Sequence, residues 1–179
     1  QRAELNGRRL DIKANSINNL QGTWIQRDNT DFSLSLNGGL DNREGYISTK
    51  GHFLISDHQL NNRQGTLIAG QQLKINTHLG SLLSEKGRLI AADNLMITSG
   101  YLDNRQGLIQ SQKQISIDTQ HNMLVNDETL DSAQDKGIVA SDRILLNAGE
   151  LSNRSGRIVS HGDQIFNAIR LSSQKGLMS

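Results

Sequence analysis

Apolar residues recur along this chain in a fixed order. A Leu or Ile stands five residues before a Gly at Ile17/Gly22, Leu40/Gly45, Leu60/Gly65, Leu82/Gly87, Leu102/Gly107, Leu151/Gly156 and Leu171/Gly176. An eighth copy is stretched, with Leu130 seven residues before Gly137. Successive glycines are separated by 23, 20, 22, 20, 30, 19 and 20 residues. Two residues after each glycine the side chain is apolar: Trp24, Ile47, Leu67, Leu89, Ile109, Val139, Ile158 and Met178. Two further on it is mostly small (Thr49, Ala69, Ala91, Ser111, Ser141, Ser160), with Gln26 the exception. An alternating apolar pair follows in Phe53/Ile55, Leu73/Ile75, Leu95/Ile97, Ile115/Ile117 and Ile144/Leu146, and Ile165 opens a less regular last copy. Period-two alternation marks strands with one buried face, and no window sustains helical spacing.

A repeat of about 20 residues is too short to bury its own apolar face. Stacking solves this, because each coil then pairs with the coils above and below at about 4.8 Å and equivalent residues fall into vertical ladders. The predicted fold is therefore all-β, a right-handed parallel β-helix of about eight coils that occupies residues 1–179 as one repeat domain. Ile47, Leu67, Leu89 and Ile109 should form one interior ladder.

The turn has its own signature. Asn19, Asn42, Asn62, Asn104 and Asn153 stand two residues after the Leu or Ile, with Ser84 and Ser173 replacing Asn in two copies. Asn tolerates left-handed backbone, and its amide can bond the backbone or another Asn. Asn42, Asn62, Asn104 and Asn153 are thus expected to form a structural amide ladder. The next position carries Arg43, Arg63, Glu85, Arg105 and Arg154, with Glu44 and Glu85 placed to compensate charge along an exposed edge. An insertion of about ten residues lies within 118–136. Its polar residues Asn126, Asp127, Glu128, Asp131 and Asp135 form the candidate partner-binding loop, since insertions in solenoids project from one face. They lack the glycine-spaced pattern of a calcium loop, so no metal is expected there.

Composition sharpens this picture. Cysteine and proline are both absent, which excludes disulfides and fits unbroken strand pairing. Nineteen basic residues against 18 acidic ones give no general attraction to nucleic acid. No apolar run is long enough to span a bilayer, and no export signal begins at Gln1. Aromatics are few, and only Tyr46 and Tyr101 could serve as sugar platforms. His52, His58, His78, His121 and His161 share no repeat position, so neither a metal site nor a catalytic triad is expected. A polysaccharide-processing or carbohydrate-binding β-helix is the alternative; the former would need matched carboxylates on neighbouring coils. No catalytic residue and no cofactor are expected. Because Gly176–Ser179 reads as the start of another strand, the chain is expected to be a piece of a longer protein whose coils continue at both ends, and to associate end to end at high concentration.

The runs LDNREGYIS (40–48), LNNRQGTLIA (60–69), LDNRQGLIQS (102–111) and LSNRSGRIVS (151–160) resemble the haemagglutinin repeat of two-partner-secreted exoproteins. That family includes filamentous haemagglutinin and the contact-dependent growth-inhibition exoproteins. The resemblance covers nearly the whole chain from Ile17 onward and departs at Ser84 and Glu85 and again at Leu130–Val139. It implies a secreted, cell-surface filament, an outer-membrane two-partner-secretion transporter as partner, and a role in adhesion to a host or neighbouring-cell receptor or glycan, or in toxin presentation.

Overall fold

The computed structural model describes residues 3–179, so Gln1 lies outside the described residues. All regular structure among them is β, in short strands that pair only in parallel. One sheet stacks nine strands, from Glu4–Gly7 to Leu177–Met178. Two further faces join into a 13-stranded sheet, because Ile144–Ser152 runs continuously across both and Gln164–Ser172 pairs along it. The nine-stranded sheet exceeds the eight glycine turns because Glu4–Gly7 belongs to a coil ahead of the first Leu–Gly spacing.

Four apolar columns fill the interior. Ile47, Leu67, Leu89 and Ile109 stack in register and are fully buried. Exposed Leu5 and partly buried Trp24 precede them in this column. A second column runs Phe32, Phe53, Leu73, Leu95, Ile115, Ile144, with the two phenylalanine rings stacked at 5.2 Å. A third runs Leu34, Ile55, Ile75, Ile97, Ile117, Leu146. The fourth contains the turn leucines Leu40, Leu60, Leu82, Leu102, Leu124 and Leu151. β-Branched and Leu side chains suit such columns, because each packs on its equivalent one strand spacing away.

Three positions depart from the sequence reading. In the sixth coil Gly137 pairs with Leu108, so Ile138 points inward and Val139 outward, with Ala140 rather than Ser141 at the small position. The turn leucine of that coil is Leu124, not Leu130, which is 41% exposed. In the last coil Ile165 pairs with outward Leu145, leaving Gln164, Phe166 and Ala168 on the inward positions. The first two differences share one cause: Gly137 does not close a turn but begins a strand, at φ +105°.

Candidate functional site

The Asn-Arg-X-Gly edge is built from its backbone upward. In the turns that carry the glycine its N–H donates to the carbonyl of the Asn or Ser three residues earlier, as Gly45 does to Asn42 (3.1 Å) and Gly107 to Asn104 (3.0 Å). Left-handed backbone falls on neither the Asn nor the Gly of these turns but on the third residue, the one before the glycine position. Gln21, Glu44, Gln64, Lys86, Gln106, Glu128, Ser155 and Lys175 all have φ between 46 and 58°. A positive φ at the third residue of a turn ordinarily favours Gly or Asn. Glycine is needed one residue later for a different reason. At Gly65 an added Cβ would run into the carbonyl oxygen of Asn42 on the preceding coil.

The space left by that glycine holds the asparagine amide. Asn19 Nδ2 donates to Asn42 Oδ1 (2.7 Å), and Asn42 Nδ2 to Asn62 Oδ1 (2.7 Å). Asn104 Nδ2 donates to Asn126 Oδ1 and Asn126 Nδ2 to Asn153 Oδ1, both at 2.8 Å. All six asparagines are buried. Ser84 interrupts the ladder. It accepts from Asn62 Nδ2 at 3.3 Å, and among the described residues nothing donates to Asn104 Oδ1.

Asn126 is thus a rung of the amide ladder, whereas the sequence reading grouped it with the insertion. The segment Leu124-Val125-Asn126-Asp127-Glu128-Thr129 repeats the turn, with Thr129 in the glycine position. The Thr129 hydroxyl donates to the Asn126 carbonyl, replacing the glycine N–H, and accepts from the Arg157 N–H. Matching Leu124 and Asn126 to Leu102 and Asn104 would have revealed this from the sequence.

The insertion proper is 130–136, and the acids grouped with it have separate partners. Asp127 accepts from the Ser152 hydroxyl and the Arg154 N–H. Glu128 accepts from Gln106, and Asp131 pairs with Lys136 at 2.7 Å. That hydrogen bond with Lys136 holds the Asp131 carboxyl below its ordinary range and raises the Lys136 ammonium. Arg157 Nη1 donates to the Gln134 and Lys136 carbonyls, tying the insertion to the nine-stranded sheet. Asp135 lines a shallow hollow there with Lys86, Arg88, Gln106 and Lys136.

The arginine edge is neutralised locally. Arg43 forks onto Asp41 (2.7 Å), Arg105 onto Asp103 (2.6 Å), Arg63 faces Glu85 (3.8 Å) and Arg154 faces Asp127 (3.4 Å). Exposed pairs of this kind are screened by solvent and contribute little to stability. Asp103 differs because its carboxylate is buried. Burial pushes its pKa up, but the Arg105 hydrogen bonds and charge outweigh that and hold it below the ordinary value. Tyr101, beside this pair, has its hydroxyl pushed up by burial.

One histidine expectation is corrected. His58 and His78 do share a position, three residues after Ile55 and Ile75, and their rings lie 5.1 Å apart. Both stand 13 residues after a turn glycine, Gly45 and Gly65, although the corner after Thr77 is two residues longer than the one after Asp57.

Comparison with known proteins adds to this geometry. The haemagglutinin repeat pattern matches residues 7–95 and 74–177. Toxin CdiA of Yersinia pestis is 38% identical over 72 residues, which is 40% of this chain and 2% of that protein. The chain thus spans only a small fraction of that relative's length. No solved structure matches.

Proposed function

The chain belongs to the haemagglutinin-repeat family, and we propose that it acts as a rigid spacer in a secreted surface exoprotein that works in adhesion or in presenting a toxin to neighbouring cells. The observation that carries this reading is the unbroken in-register pairing from Glu4–Gly7 to Leu177–Met178. Nine strands at about 4.8 Å make a rod about 40 Å long, whose interior is specified by repeated columns. Such a body transmits position along its axis.

The composition suits export through an outer-membrane two-partner-secretion transporter. A solenoid can grow coil by coil as the chain emerges, each new coil templated by the last. The chain has no cysteine to cross-link and no proline to impose slow isomerisation on that growth. A receptor or glycan on a host or neighbouring cell completes the proposal.

The role is non-catalytic in this reading. Asp127, Glu128 and Asp131 are engaged by Arg154, Gln106 and Lys136, an arrangement that suits bracing rather than proton transfer. The test is replacement of this segment, within the exoprotein that carries it, by an equal number of coils from another haemagglutinin-repeat segment. A spacer role predicts that adhesion or growth inhibition is retained. Loss of both, with surface display intact, would show that this segment's own surface makes the essential contact.

A further inference from the structure

We infer that His58 and His78 form a chelating pair for a borderline divalent transition metal, with Cu²⁺ bound most tightly. Both residues are exposed, and each stands at the corner after the third interior column on adjacent coils. Their rings are tilted toward one another, with centroids 5.1 Å apart and planes 34° from parallel. Neutral imidazole is a ligand for Cu²⁺, Ni²⁺ and Zn²⁺, at about 2.0–2.1 Å from metal to nitrogen for Zn²⁺. Two imidazoles one strand spacing apart need only small χ rotations to place one nitrogen each on a common ion.

The corner holds the pair in place. His78 has left-handed backbone (φ 54°), and its N–H is held by Asn76 Oδ1 at 2.8 Å. Its Nε2 lies 3.4 Å from the Ser56 hydroxyl on the coil that carries His58, so this nitrogen is turned toward its neighbour's coil. The His58 N–H is in turn fixed by Asp57 Oδ1 at 2.7 Å. Gly80 lets the later corner sit directly on the earlier one, since a Cβ there would strike the His58 carbonyl. On the other side of the pair, the Gly100 N–H donates to the Gly80 carbonyl and a Cβ there would strike the Leu79 carbonyl, and Gln120 reaches past it to the His78 carbonyl. The next corner is thereby anchored to the pair's own backbone.

Two protein nitrogens leave the remaining coordination positions to water, and the Irving–Williams order then places Cu²⁺ above Ni²⁺ and Zn²⁺. The experiment titrates the 179-residue chain with CuCl₂, NiCl₂ and ZnCl₂ by calorimetry, with electron paramagnetic resonance of the Cu²⁺ form. His58→Ala and His78→Ala should each weaken Cu²⁺ binding at least about tenfold, the scale set by losing a supporting group at a metal site. Each should also reduce the nitrogen hyperfine pattern from two ligands to one. His121→Ala and His161→Ala should leave both readouts unchanged. Absence of Cu²⁺ binding would overturn the proposal. So would binding that survives either His58→Ala or His78→Ala in a variant with native circular dichroism, or equal loss on His161→Ala.

Discussion

Changing Ser84 to Asn should stabilise the protein by joining two separate stretches of amide ladder. Asn104 Oδ1 is buried with no donor among the described residues, and Asn62 Nδ2 makes only a 3.3 Å bond to the Ser84 hydroxyl, against 2.7 Å where Asn meets Asn. The cradle for the longer side chain already exists, since Gly87 stands three residues on as in every ladder turn built on Asn-x-x-Gly. An asparagine there can accept from Asn62 and donate to Asn104. A net intramolecular hydrogen bond contributes about 0.5–1.5 kcal/mol, and an unsatisfied buried acceptor costs about 1–3 kcal/mol. Ordering a larger side chain offsets part of this, leaving about 1–2 kcal/mol. For a chain of this size that corresponds to a rise of about 2–8 °C in Tm. Urea unfolding followed by circular dichroism should show a higher midpoint with an unchanged slope. Ser84→Ala should change stability little, because Asn62 Nδ2 keeps the Gly65 and Arg88 carbonyls as acceptors. A Ser84→Asn variant no more stable than the parent would refute the ladder as an energetic element.

Asn126→Ala should destabilise by about 2–4 kcal/mol in urea unfolding, because it strips partners from both Asn104 and Asn153, while Asp135→Ala should stay within about 0.5 kcal/mol. Gly65→Ala should cost about 2 kcal/mol or more by driving a Cβ into Asn42, whereas Gln64→Gly should be neutral or stabilising by up to about 1 kcal/mol by relieving left-handed backbone; paired thermal melts compare them. Leu89→Ala should cost about 2–5 kcal/mol, measured the same way, as a cavity in the fully buried ladder. Acid titration monitored by circular dichroism should show stability falling below about pH 4: Asp41, Asp103 and Asp131 have folded-state pKa values below the ordinary 3.8, so their contribution is complete above it and is lost as pH drops through the folded values. An acid transition unaltered by Asp103→Asn would count against the Asp103–Arg105 pair as a contributor.

Most of the fold was legible because one spacing repeats, and repetition turns a weak local signal into a register. Ile47, Leu67, Leu89 and Ile109 could be aligned without knowing any contact. Legibility failed where a residue type carried two meanings. Gly137 begins a strand instead of closing a turn, so its spacing points to Val139 where Ile138 stands, and the turn at Leu124 and Asn126 has no glycine to mark it. Asn tolerates positive φ, yet none of the ladder asparagines adopts it. The chain instead places it on Gln, Glu, Lys and Ser, since the asparagine amide is committed to the ladder and the glycine to close approach. The His58–His78 pair shows when positions are counted forward, 13 residues after Gly45 and Gly65, and is lost when they are counted back from the next glycine, because corners of different length follow it. Of the five residues grouped as a binding loop, Asn126 is a ladder rung and Asp127, Glu128 and Asp131 have partners, leaving Asp135 beside the hollow.

The parallel register itself can be tested by disulfide cross-linking, which the absence of native cysteine makes unambiguous. Lys74 and Met96 are partners on adjacent coils with outward side chains, and Ser116 is the partner of Met96 one coil further on. A Lys74→Cys/Met96→Cys pair should oxidise readily, since neighbouring strands about 4.8 Å apart fall within the Cα range a disulfide spans. A Lys74→Cys/Ser116→Cys pair, two strand spacings apart, should remain reduced. Cross-linking of the second pair within one chain, or failure of the first in a folded protein, would contradict the stacked coil.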